Sequence, residues 1–157
     1  MLKFLKIKKD QDRAKTKFNL FKKFIDDKSK FIDIGCGSGQ FSLELKSKNH
    51  EVTAVDVKDK TNTKAITPAI YNGVKLPFDD NQFDISMLIT VLHHCPQPDD
   101  VFAEAVRVSK NKIFVLEDVY SNLVMKQLTW FMDSLINLEF IGHPHTNKSE
   151  LEWEKLF

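Results

Sequence analysis

The sequence predicts an α/β fold of three layers, with a mostly parallel sheet of about five strands and helices on both of its faces. Three observations lead there. Short apolar, β-branched runs alternate with segments whose apolar residues recur at three-and-four spacing. The first such run ends abruptly in a glycine-rich turn, Asp33-Ile34-Gly35-Cys36-Gly37-Ser38-Gly39. An acidic residue, Asp56, closes the second run about 20 residues beyond that turn.

Taken in order, residues 10–25 place Ala14, Phe18, Phe21, Phe24 and Ile25 on one helical face, expected to lie across the pocket side of the domain. Residues 30–34 form a short aromatic and β-branched run, as a buried parallel strand would. Residues 38–48 read as a helix opened by Ser38 and Gly39, with Phe41, Leu43 and Leu45 apolar. A second strand covers residues 51–56. From 57 to 67 only Ala65 and Ile66 are apolar before Pro68, so no full crossover helix is expected. A third strand is read over 69–72 and a fourth over 83–89. Pro96 and Pro98 introduce a helix over 99–109, and residues 112–117 return as a fifth strand. Residues 122–137 read as a helix with a broad apolar side (Val124, Leu128, Phe131, Leu135), and 149–157 as a last helix.

A chain of 157 residues is one ordinary domain, and its 42% hydrophobic and 29% charged residues are those of a soluble protein. No apolar run approaches the roughly 18 residues of a membrane span, and lysines interrupt the N-terminus before a secretory signal could form. The expected location is the cytoplasm. The net charge of +1 is uneven. Residues 1–30 carry eleven Lys or Arg and four Asp, a balance of +7, which leaves −6 for the rest. A solvated helix face explains scattered lysines better than a nucleic-acid or membrane patch.

The glycine turn can bring bare backbone up to a ligand at a helix N-terminus. Asp33 adds a carboxylate there, which disfavours a pyrophosphate and favours a ligand carrying an ammonium and a sulfonium. Gln40 stands where a dinucleotide fingerprint needs glycine or alanine. Asp56 falls where an acidic side chain meets the hydroxyls of an adenosine ribose. Cys36 reads as a small side chain suited to a crowded turn, and His94 with Cys95 as neighbours on an extended strand that point apart. His143 and His145 have no third ligand nearby in sequence, so no metal is expected.

A third signal is Asn72-Gly73-Val74-Lys75-Leu76-Pro77-Phe78-Asp79-Asp80-Asn81-Gln82-Phe83-Asp84, followed by Val91-Leu92-His93-His94. Together with the glycine turn and Asp56, these motifs resemble the class I S-adenosylmethionine-dependent methyltransferases of the type 11-like branch, over about residues 31–117. The resemblance implies a Rossmann-like sandwich, S-adenosyl-L-methionine as cofactor, and methyl transfer. It implies that Asp33, Gly35, Cys36, Gly37 and Gly39 line the methionine portion and that Asp56 holds the ribose. Val57, Asn72 and Gly73 would meet the adenine, with Ile89 or Thr90 at the pocket floor. His93 and His94 would stand at the mouth, where either could take a proton from an oxygen or nitrogen acceptor; packing and backbone hydrogen bonding are their other roles. Glu117 and Asp118 would face the acceptor, or else cap a helix near Ser121.

The apolar helix over 122–137 favours a small-molecule or lipid-like acceptor, and no aromatic-basic stripe suggests nucleic acid. Residues 1–29 are taken as a basic helical segment and 30–157 as the cofactor-binding core. Members of the family continue through two further strands, so a C-terminal truncation is expected, with the fifth strand at an edge open to a homodimer. A catalytically inactive cofactor-binding module and a nicotinamide-dependent oxidoreductase are the alternatives, Asp33 and Gln40 standing against the latter.

Overall fold

A computed structural model describes residues 2–120, Gln127 and residues 148–157. Five parallel strands run in the order β3-β2-β1-β4-β5: β1 Lys30–Ile34, β2 Glu51–Asp56, β3 Ala69–Ile70, β4 Phe83–Ile89 and β5 Ser109–Leu116. The helices are α1 Leu2–Phe21, α2 Gln40–Ser47, α3 Pro98–Val108 and α4 Glu150–Glu154, with short 3-10 turns at Lys22–Phe24 and Leu92–His94.

Alternation along each strand builds the three layers. Ile32, Ile34 and Leu88 point to one face, where they pack with Val101, Ala105 and Val108 of α3 and Trp153 of α4. Phe31, Ile85, Met87 and Ile89 point to the other, against Ala14 and Phe18 of α1 and Phe41 and Leu45 of α2. The predicted three-layer sandwich is the observed one. The basic N-terminal helix is part of it, since Ala14 is 4% exposed and shares a cluster with the sheet.

Several bounds move. α1 begins at Leu2 and ends at Phe21, whereas the apolar spacing outlined 10–25. Its first turns are rich in lysine and carry no buried stripe, so periodicity is silent there. β3 is two residues rather than four, because Asn72 turns away to accept the amides of Val74 and Lys75. β5 starts at Ser109, earlier than expected, across an irregularity in its pairing with β4 between Phe83 and Ile85. No helix forms over 57–67.

α3 opens with Pro98 in its first turn beside Asp99 and Asp100, groups that suit a helix N-terminus. Near its end Arg107 bonds Glu104, Asp80 and the carbonyl oxygens of Leu76 and Phe78. The Leu-Pro-Phe turn is therefore pinned to α3, with Leu76 buried and Phe78 edge-on to Phe83. Apart from Gln127, the expected helix over 122–137 lies outside the described residues, as do His143 and His145. Among the described residues β5 pairs on one side only, and no helix is long and apolar enough to cross a membrane.

Candidate active site

In this strand order β1 has β2 on one side and β4 on the other, so the chain reverses its direction of winding between β1 and β4. In doubly wound sheets the ligand crevice opens there, beyond the carboxyl ends of the strands. The loops leaving β1 and β4 meet at that point. A Cβ built on Gly35 would lie 2.2 Å from Val91 Cγ2. Gly35 also has a φ of +73°, so only glycine suits the place.

The glycine turn is tied down from beneath. The amides of Gly35 and Cys36 donate to Val55 O, and that of Gly39 to Cys36 O. The Gly37 amide donates to Asp56 Oδ2 at 2.8 Å, while Asp56 Oδ1 accepts Val57 N at 2.8 Å and Lys58 N at 3.4 Å. A carboxylate has about four acceptor positions, so Oδ2 retains one for a ligand hydroxyl. A Cβ on Gly37 would meet nothing within 4 Å. The turn thus borders open space.

Asp33, expected along the ligand, is buried at 2% exposure and accepts Ser42 Oγ of α2 at 2.5 Å. Burial pushes its pKa up to about 6, against the pull of Ser42 and of Lys17. Its carboxyl faces α2. Cys36 is buried with Ala54 and Ile66, and burial drives its thiol well above the ordinary range; Cys95 is pushed up to about 11 for the same reason. Neither carries a reactive thiolate.

At the far end of β2 and β3, Val57 and Ile70 are 52% and 53% exposed, and a Cβ on Gly73 would stand 3.3 Å from Val57. These residues make an apolar ledge beside Asp56. Asn72, exposed next to it, holds its own turn through Oδ1.

Ile89 is buried at the end of β4. Thr90 follows with a φ of +55°, an unfavourable conformation for a β-branched residue and one that clusters at functional sites. Its amide donates to Leu116 O at 2.6 Å and its hydroxyl to Ile89 O at 2.7 Å. The next turn is organised by Glu117. Oε1 accepts the Val91 and Leu92 amides at 2.8 and 2.7 Å, and Oε2 lies 2.5 Å from His93 Nδ1. Both side chains are nearly inaccessible, at 2% and 3%. His93 is therefore inside the turn rather than at its mouth, and Glu117 holds that turn; the helix start near Ser121 that it was alternatively expected to cap lies outside the described residues. His94 is half-buried, its ring centroid 4.0 Å from that of His93, and Asp118 is exposed. His94 and Cys95 do not follow an extended strand as the sequence suggested. His94 closes the 3-10 turn, and Cys95 Sγ donates to Val91 O.

One residue the sequence reading passed over enters from α1. Lys17 Nζ donates to Thr90 Oγ1 at 3.1 Å. Its place on the apolar stripe, three residues after Ala14 and one before Phe18, was the signal available.

Fold and crevice together define a doubly wound domain built for a nucleotide-like ligand. Residues 32–115 match the family model described as a methyltransferase domain, and the chain belongs to that family. S-adenosylmethionine is the cofactor this membership implies. The residues fit it: open space borders Gly37, Asp56 Oδ2 keeps an acceptor position that a ribose hydroxyl could take, and the exposed Val57 and Ile70 could flank an adenine. Among similar proteins, the ubiquinone biosynthesis O-methyltransferase of Hahella chejuensis is 21% identical over 134 residues, covering 75% of this chain and 55% of its own. A sterol 4-C-methyltransferase of Caenorhabditis elegans is 30% identical over 138 residues, 77% of this chain and 41% of its own. The structure of a SAM dependent methyltransferase from Archaeoglobus fulgidus superimposes with a TM-score of 0.73 at 15% identity, over 93% of this chain and 66% of that one. The chain spans about half the length of the curated relatives it matches.

Proposed function

We propose that this chain binds S-adenosylmethionine in the crevice between the β1 and β4 loops and directs its methyl group to a small-molecule or lipid-like acceptor. The observation that carries the reading is the convergence of the pinned glycine turn, Asp56 and Thr90 at the switch point of the sheet. When bound, the cofactor supplies an already activated methyl group, so the chain has chiefly to align an acceptor and exclude water. In this reading Asp56 holds the ribose, Val57 and Gly73 flank the adenine, and the amide nitrogen of Asn72 meets the adenine edge. Gly35, Cys36, Gly37 and Gly39 trace the methionine portion above Asp33. Ile89 and Thr90 form the floor.

His94 is assigned the acceptor's proton, because it stands beside the buried His93 with its ring partly accessible. His93 and Glu117 hold the turn that presents it. Asp118, exposed at the end of β5, is placed on the acceptor side. The acceptor class is supported by the names of two relatives, which act in ubiquinone biosynthesis and on a sterol. A direct test supplies methyl-labelled S-adenosylmethionine with a lipid and quinol extract. Label in the organic phase supports the reading, and label confined to protein or nucleic acid would contradict it.

A further inference from the structure

Lys17 reaches the crevice assigned to the cofactor and has no role in the function proposed for it. Lys17 is half-buried on α1, and its one hydrogen bond among the described residues is to Thr90 Oγ1. An ammonium has three donors, so two are unmatched among the described residues. Carboxylates of Asp118, Asp33 and Glu117 lie near enough to act on it electrostatically, yet none forms an ion pair within 4.0 Å of it. Burial lowers the Lys17 pKa, the carboxylates offset part of that, and Arg13, one turn earlier on the same face, adds to the lowering. The ammonium therefore sits at a solvation cost without a counter-charge in contact.

What would relieve that cost is decided by the ligand's own charges. S-adenosylmethionine brings a sulfonium, an α-ammonium and a single carboxylate. Near its two cationic centres Lys17 is repulsive, and near its carboxylate it is attractive. Thr90 terminates β4 and Asp33 lies beneath the glycine turn on β1, so Lys17 reaches the end of the crevice where the amino-acid part of the cofactor is read. Resting on the cofactor assignment proposed above, we infer that Lys17 is a cofactor-binding residue whose ammonium anchors the methionine carboxylate, making α1 a wall of the cofactor site rather than a solvated basic arm. The exposed Asp118, and at longer range the buried Asp33, are then left to favour the ammonium and sulfonium.

The test is calorimetric titration of the full chain and of Lys17→Met, which keeps an unbranched apolar stem, with S-adenosylmethionine and decarboxylated S-adenosylmethionine. For Lys17→Met the expected result is a tenfold or greater loss of affinity for S-adenosylmethionine, with decarboxylated ligand bound unchanged or more tightly. Lys17→Arg should recover most of the lost affinity. Equal losses for both ligands, or no loss for either, would overturn the assignment. Failure of the unsubstituted chain to bind either ligand would instead remove the cofactor site on which it rests.

Discussion

Gly35 and Val91 share a space that holds only one side chain: a Cβ on Gly35 would stand 2.2 Å from Val91 Cγ2 and 3.0 Å from its Cβ. The loops leaving β1 and β4 thereby interlock at the crevice. Gly35→Ala adds both this overlap and a methyl group at a φ of +73°, costs of about 1 to 3 kcal/mol each. The variant should lose several degrees in thermal midpoint and most of its cofactor affinity. Combining it with Val91→Ala should restore part of the stability, and a double-mutant cycle with no coupling would show that the two loops do not interlock.

Asp56 joins the two halves of the proposed ligand site by accepting Gly37 N at 2.8 Å. Asp56→Ala should weaken binding of S-adenosylhomocysteine by about 2 to 3 kcal/mol, the loss of a charged hydrogen-bond acceptor at the ribose together with a loosened glycine turn. Unchanged affinity would remove Asp56 from the site.

Asp33 makes stability depend on pH. Its folded pKa of about 6 exceeds the ordinary 3.8, so between those values the folded chain keeps a proton that the unfolded chain has released. The contribution is therefore full below about pH 4 and lost as the pH rises through 6, a change of about 3 kcal/mol. Asp33→Asn, whose amide oxygen can still accept Ser42, should flatten the fall of the thermal midpoint between pH 4 and 7. An identical slope in both proteins would place the titration elsewhere.

Glu117 and His94 should separate by phenotype. Glu117→Gln puts an amide group where Oε1 and Oε2 together accept two backbone amides and His93, so thermal stability should fall by about 3 kcal/mol and cofactor affinity with it. His94→Ala should leave cofactor affinity nearly intact and lower kcat about a hundredfold. Equal loss of stability in both would make His94 a packing residue.

How much of this could be read from the chain follows from what is local. β2 and β4 were legible to the residue because Glu51–Asp56 and Phe83–Ile89 are β-branched or apolar runs bounded by turn residues. The Gly35–Gly39 turn was legible because its chemistry is written in consecutive residues. The partnership of His93 with Glu117 was not, since 24 residues separate them and the pairing of β4 with β5 brings their loops together. Lys17 was read as one lysine among many; its burial follows from the packing of Ala14 and Phe18 on the sheet, which sequence spacing implies but does not weigh. The bond from Ser42 to Asp33 was not legible either, since it depends on strand alternation turning Asp33 to the same face as Phe31, toward α2.

Binding of an adenosyl cofactor in the crevice at the β1–β4 switch point is tested by calorimetric titration of the chain with S-adenosylmethionine, S-adenosylhomocysteine and NADH. Micromolar binding of the two adenosyl ligands, with none of NADH, is the predicted result. A folded sample that binds neither adenosyl ligand, or that prefers NADH, would contradict it.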